Sequence, residues 1–326
     1  MERPVRRTDL EAQLARARDQ AAGETAGLFG PDSVIWRIDR ESALFLGAGR
    51  ALMLQLAHPW VAAAIMAHSR TLTDPIGRFH RTFEIMFTLV FGSLDQALDA
   101  ARRLHRRHAG IHGHLPKAAG RFAAGSAYLA NEASALRWVH ATLIDTALIA
   151  HDLVLPPLSP AERERYYAES RLLGAMFGLA PEDQPADWQA FASYNEAMWH
   201  SDTLAVGPAA RFIAAQVVAG AGSWLRTPAW LEALTARLLP DPVRRGFGLE
   251  VGEEERRRSD RALHWLRRTC PLLPDRVRTV GPYQEACARL AGCPRPDLVT
   301  RSLNRLWIGQ PAMAAPERRK PDRRPR

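Results

Sequence analysis

The feature that most constrains this chain is a pair of adjoining helical patterns between Asp74 and Gly113. The first, DPIGRFHRTFEIMFTLVFG, opens as a helix start at Asp74. At ~100° per residue, Arg78, Arg81, Thr82, Ile85 and Leu89 share one face, which begins with two guanidinium groups and a hydroxyl and continues as hydrocarbon. The second, SLDQALDAARRLHRRHAGIHG, has Gln96 three residues after Ser93, a capping-box pattern, and is expected to close at Gly113. Its apolar stripe runs Leu94, Ala97, Ala101, Leu104, His108, Ile111, so a histidine stands where the stripe asks for leucine.

The rest of the chain reads as helix too. It is rich in Ala, Leu and Arg, and no sustained alternation of β-branched residues lies between hairpin turns. With 326 residues, 47% of them hydrophobic, it can bury a large core, and an all-α fold follows. The expected organisation is a polar leader helix over 1–27 docking on the outside, one domain over 28–308, and a basic, Pro-rich, disordered tail over 309–326. The most apolar stretch, Ser42 to Ser69, carries Arg50, His58 and Pro59 in its middle, which suits buried core helices rather than a membrane span. A break is expected at His58, because the residue before proline disfavours the α region.

The N-terminus shows no apolar signal stretch, and the three cysteines are an odd number without a CxxC pair. Both features point to a reduced, cytoplasmic setting. The net charge of +9 suggests nucleic acid at first, but the last ten residues hold six basic and two acidic side chains. Elsewhere Arg is interleaved with Glu and Asp, as in EVGEEERRRSDR, so the reading is a solvated surface and no nucleic-acid partner.

Eleven histidines are more than a neutral core requires. His105, His108 and His112 fall within ~60° of one another on a helix, and spacing alone does not choose among them. Each also reads as a core histidine bonded to a carbonyl. A zinc or di-iron site would want Glu-x-x-His or His-Glu-x-x-His, and neither motif is present. A porphyrin asks for less: one axial histidine, cationic or hydroxyl partners for its propionates, and an apolar slot. The stretch Arg78–Leu89 supplies the last two, although Asp74, Glu84 or Asp95 would equally serve as partners for its arginines.

LFLGAGRALMLQLAHPWVAAAIMAHS (44–69), Asp74-Pro75, Arg78-x-x-Arg81-Thr82 and His108-x-x-Ile111-x-Gly113 carry a family resemblance. Trp138-Val139-His140-Ala141, Tyr166-Tyr167-x-Glu169 and LPDPVRRGFGL (239–249) extend it, so that it covers roughly 28 to 290. In order and spacing these motifs resemble the MpaB-type oxygenase superfamily, which includes the rubber oxygenases and the membrane-bound oxygenase of mycophenolic acid biosynthesis. The resemblance implies a globin-like helical core with additional flanking helices, holding haem b. It places the proximal iron ligand on His108, with His112 as the fallback. His58, His68 and His140 recur in the pattern, either lining the pocket or hydrogen-bonding within the core.

Rubber oxygenases carry Arg-x-x-Lys-Thr on the distal side. Here Arg78 and Thr82 match it and Arg81 replaces the lysine. A neutral lysine can bind iron; a guanidinium, with a pKa above ~12, cannot. The implied iron is therefore not capped by this side chain. Arg81 and Thr82 would face bound O₂, or Arg81 a propionate, while Arg78 anchors a propionate or orients the distal side. The function implied is a haem b oxygenase that uses O₂ to cleave or oxidise a hydrophobic, isoprenoid-like or otherwise unsaturated small molecule. The alternative is a non-catalytic helical protein that binds haem or a lipid-like ligand.

Overall fold

The computed structural model describes residues 3–69, 74–218, 227–293 and 295–315. Its helices are α1 (Arg7–Asp19), α2 (Val34–Asp39), α3 (Ala48–Leu56), α4 (Pro59–His68), α5 (Pro75–Phe91), α6 (Leu94–Ala109), α7 (Ala133–Val154) and α8 (Pro160–Ala175). They continue as α9 (Trp188–Trp199), α10 (Pro208–Val218), α11 (Ala229–Leu238), α12 (Asp241–Gly246), α13 (Glu253–Thr269), α14 (Asp275–Arg278), α15 (Gly281–Leu290) and α16 (Leu298–Ile308). Strands β1 (His112–His114) and β2 (Ala127–Leu129) form a small antiparallel pair. The class is all-α.

Local chemistry sets the ends of the two organising helices. The Asp74 carboxylate accepts the Gly77 N–H at 2.9 Å, and Pro75 occupies the first turn of α5, where no N–H is needed. Ser93 and Gln96 exchange side-chain and backbone hydrogen bonds at the start of α6, the reciprocal arrangement their spacing predicts. The other end of α6 differs from expectation. The helix stops at Ala109, and Gly113 lies in β1 opposite Tyr128. A Cβ at Gly113 would come within 2.7 Å of the Tyr128 hydroxyl, so this glycine admits an aromatic ring rather than capping a helix.

The apolar stretch from Ser42 folds as a 3-10 turn, then α3 and α4, with the break at His58. His58 is extended (φ −82°, ψ 118°), as its place before Pro59 requires, and the two apolar segments meet at 102°. Among the described residues no single helix is long and apolar enough to cross a membrane. Arg50, in the middle of this stretch, is buried but fully occupied. It donates to the Leu238 carbonyl (2.8 Å), the Thr146 hydroxyl (2.7 Å) and the Asp145 carboxylate (2.6 Å). Gly47 and Gly49 permit the tight seam: a Cβ at either would meet Thr146 or Thr235 side-chain atoms at 2.4 and 2.6 Å.

The main hydrophobic cluster draws on α1, α2, α5, α6, α7, α8 and α15. Leu10, Leu14 and Ala17 bring α1 directly into it, so the polar N-terminal helix is anchored by its minority face. Of the tail placed at 309–326, residues 309–315 are described, and Met313 is buried with its N–H on the Glu285 carboxylate. Residues 316–326 lie outside the described residues.

Candidate functional site

Helices α4, α5, α6 and α7, with strand β2, line a cavity of about 280 Å³. Its walls are hydrocarbon: Val61, Ala64 and Ile65 from α4, Ile85 and Met86 from α5, Leu104 from α6, and Leu136, Val139 and Leu143 from α7. Arg78, Arg81 and Thr82 line it from α5, and His108 and Ile111 face them from the other side of the helix pair. The two stripes read from the sequence therefore meet across one cavity, with Leu89 continuing its stripe into the core beneath.

The candidate histidines separate cleanly. His105 Nε2 lies 2.9 Å from the Val5 carbonyl. His112 is exposed on β1, does not line the cavity, and offers its carbonyl to His68 Nε2 at 3.0 Å. His108 alone of the three lines the cavity, and its imidazole has no hydrogen-bond partner among the described residues. Burial, reinforced by Arg107 and His105, pushes its pKa down to about 4. The ring is therefore neutral near pH 7, with a lone pair on one nitrogen.

Two cations line the same cavity. Arg81 is 43% exposed and donates to the Asp74 carboxylate at 3.1 Å. Arg78 is more enclosed. Burial first, then Arg107 and Arg81, lower its pKa to about 10, so it stays charged at neutral pH. The Thr82 hydroxyl makes no hydrogen bond among the described residues, whereas Thr88, further along α5, returns its hydroxyl to the Glu84 carbonyl at 2.7 Å. The cavity thus joins an unengaged neutral imidazole, a hydroxyl, a hydrocarbon interior and guanidinium groups. Among the described residues no three His, Cys, Asp or Glu side chains converge as a metal cage.

A family model described as "ER-bound oxygenase mpaB/B'/Rubber oxygenase, catalytic domain" matches residues 36–270. The chain belongs to this oxygenase family. No curated protein and no solved structure gave a significant match. The match spans every element that lines the cavity, so the cavity is part of an oxygenase catalytic domain and the chain is of an enzyme class that acts on a small molecule with O₂.

In this mpaB/rubber oxygenase domain, His58 and His140 stand one layer behind the cavity. His58 caps α4 by accepting the Trp60 N–H at 3.3 Å, and its ring packs 5.8 Å from Trp60, which does line the cavity. His140 packs 5.7 Å from Phe177, another wall residue, and its Nε2 has no partner among the described residues. Burial lowers both pKa values to about 4. Several wall residues carry no sequence signal of their own. Tyr128 arrives through the strand pairing, Gln55 through the α3–α4 corner, and Phe177 from beyond the end of α8. Arg107 was within reach of the sequence, as the neighbour of His108 in an Arg-rich turn.

Proposed function

We propose that the chain is a haem b-dependent oxygenase acting on a hydrophobic, unsaturated small molecule. The observation that carries this reading is the His108 imidazole, neutral and without a hydrogen-bond partner among the described residues, on the wall of an apolar cavity that Arg78 and Arg81 also line. The donor set suits a porphyrin, which brings its own four nitrogens and needs one imidazole, and does not suit a bare metal ion, which needs several protein ligands. At about 280 Å³ the cavity falls just below the ~300–1,000 Å³ usual for ligand sites.

In this assignment His108 would hold the haem iron, and His112 has no part in the cavity. Arg78 and Arg81 would meet the propionates, and Asp74 is already on hand to orient Arg81. Thr82 keeps a hydroxyl free to donate or accept toward a polar group in the cavity. The hydrocarbon walls desolvate an apolar substrate and hold it, with Trp60 and Phe177 fixed from behind by His58 and His140. Haem, when bound, supplies the activation of dioxygen and the bond-breaking; the protein supplies binding, orientation and electrostatics.

The test is an optical spectrum. Purified protein, reconstituted with haem if necessary, is expected to show a Soret band that His108→Ala removes and His112→Ala preserves. A protein that stays colourless with added haem, or one whose band survives His108→Ala, overturns the assignment.

A further inference from the structure

Eight of the eleven exposed large apolar side chains among the described residues fall between Trp265 and Leu306. Scattered surface hydrophobes do not concentrate in this way. Trp265, near the end of α13, is 70% exposed, and Leu272, on the following turn, is 83% exposed. Val277 on α14 and Leu298, Val299 and Leu306 on α16 are exposed as well. Two contacts join these pieces. Arg276 pairs with Asp297 at 3.1 Å, tying α14 to the start of α16. At its other end, the Leu306 carbonyl lies 3.1 Å from His80 Nε2, which seats the last turn of α16 on α5.

Positive charge predominates among the exposed side chains of these segments: Arg267, Arg268, Arg276, Arg301 and Arg305 are exposed, against Asp275 and Asp297. We propose that this face docks on the surface of a lipid bilayer bearing anionic headgroups. Trp265, Leu272 and Leu298 would enter the headgroup–acyl boundary while the arginines contact phosphates. Tryptophan and leucine set among arginines is the composition of interfacial binding, and each such cation adds attraction to an anionic surface. A second copy of the chain suits the face less well, since a two-fold contact would set its arginines against their own counterparts. Seven of the eight residues lie beyond the family match at 36–270, so the feature belongs to this chain's C-terminal elements and not to the matched domain.

The docking does not depend on the cofactor assignment. Given that assignment, it has a use: a protein held at a bilayer surface works beside a phase in which apolar substrates concentrate. The experiment is flotation of the full-length protein with vesicles of phosphatidylcholine alone and of phosphatidylcholine mixed with phosphatidylglycerol. Partition onto the anionic vesicles is expected, weakening with salt. Leu272→Glu combined with Leu298→Glu should lower that partition at least about tenfold, with the urea midpoint unchanged because both side chains are exposed. Exchange of Arg268 and Arg301 for Glu should lower it on the anionic vesicles specifically. Undiminished binding by the Leu272/Leu298 variant would overturn the proposal and assign the attraction to the basic C-terminus. Failure to float with either vesicle would overturn it as well. So would sedimentation showing a dimer that the same variant disperses, since the face would then belong to a second copy.

Discussion

A buried carboxyl that must keep its proton governs part of the molecule's pH response. Burial raises the Asp39 pKa to about 7; the Tyr166 hydroxyl, donating at 2.9 Å, offsets part of the rise, and nearby Glu169 adds to it. In the unfolded chain the same group titrates near ~3.9. Between these values the unfolded state loses a proton that the native state holds, so this group's contribution to stability falls as pH rises from about 4 to about 7 and then levels off. His58 and His140, lowered to about 4, act oppositely: they stay neutral when folded, and their contribution is lost as pH falls from ~6.5 toward 4. A difference measurement isolates the carboxyl. Asp39→Asn, whose amide oxygen can still accept from Tyr166, is expected to match the parent near pH 4 and exceed it by on the order of 1–3 kcal/mol at pH 8 in urea unfolding. Equal stability at both pH values would show that Asp39 carries no shifted proton. At this same scale, helical spacing made the cavity's facing stripes legible: Arg78, Arg81 and Thr82 on one, His108 and Ile111 on the other. It did not separate His105, His108 and His112. The Val5 carbonyl that occupies His105 comes from a hundred residues earlier, and His112 leaves the helix for a strand partner.

The corner formed by α3 and α4 shows how elements hold the site in shape. Its proline break was legible because the constraint is local to two residues. The partners of Arg50 were not, because Asp145, Thr146 and the Leu238 carbonyl come from α7 and α11. The same holds for the end of α6, where the ring of Tyr128 decides what Gly113 does. Arg50 clamps α3 to both helices, and the opposite side of that corner supplies Trp60, Val61 and Ile65 to the cavity. Arg50→Met is expected to cost about 3 kcal/mol or more, since Asp145 loses its partner and a carbonyl and a hydroxyl lose a donor. Adding Asp145→Leu should recover much of that loss, because an apolar pair of similar volume leaves no charge behind. Urea midpoints of the single and double variants decide it: a double variant no more stable than the single would mean that the clamp works by packing alone. Gly47→Ala offers a second reading of the same seam. Its methyl would press on Thr146 Cγ2, an overpacking expected to cost roughly 1–3 kcal/mol.

At the scale of the whole molecule, the boundaries of the matched oxygenase domain are not those of a unit that can stand alone. Residues 36–270 lack α1, whose Leu10, Leu14 and Ala17 sit in the main cluster, and they lack everything from α14 onward. The missing C-terminal elements reach deep. Trp307 stacks on Phe45 with ring centroids 4.4 Å apart, Tyr283 meets the edge of Trp36 at 5.9 Å, and the Val280 N–H donates to the Arg40 carbonyl at 2.9 Å. Glu41, almost wholly buried, depends on Arg278 at 3.1 Å as well as on Arg40. Cutting at 270 therefore strands a carboxylate and uncovers an aromatic cluster. Each large apolar side chain contributes about 1.5–3 kcal/mol by burial, so losing Leu10, Leu14, Tyr283, Trp307 and Ile308 together rivals the ~5–15 kcal/mol by which a domain is stable. The isolated fragment 36–270 is accordingly expected to show helical far-ultraviolet dichroism without a cooperative urea transition or near-ultraviolet signal, while the full chain shows all three. A fragment that unfolds cooperatively near the parent's midpoint would mean that α1 and α14–α16 decorate the domain instead of completing its core.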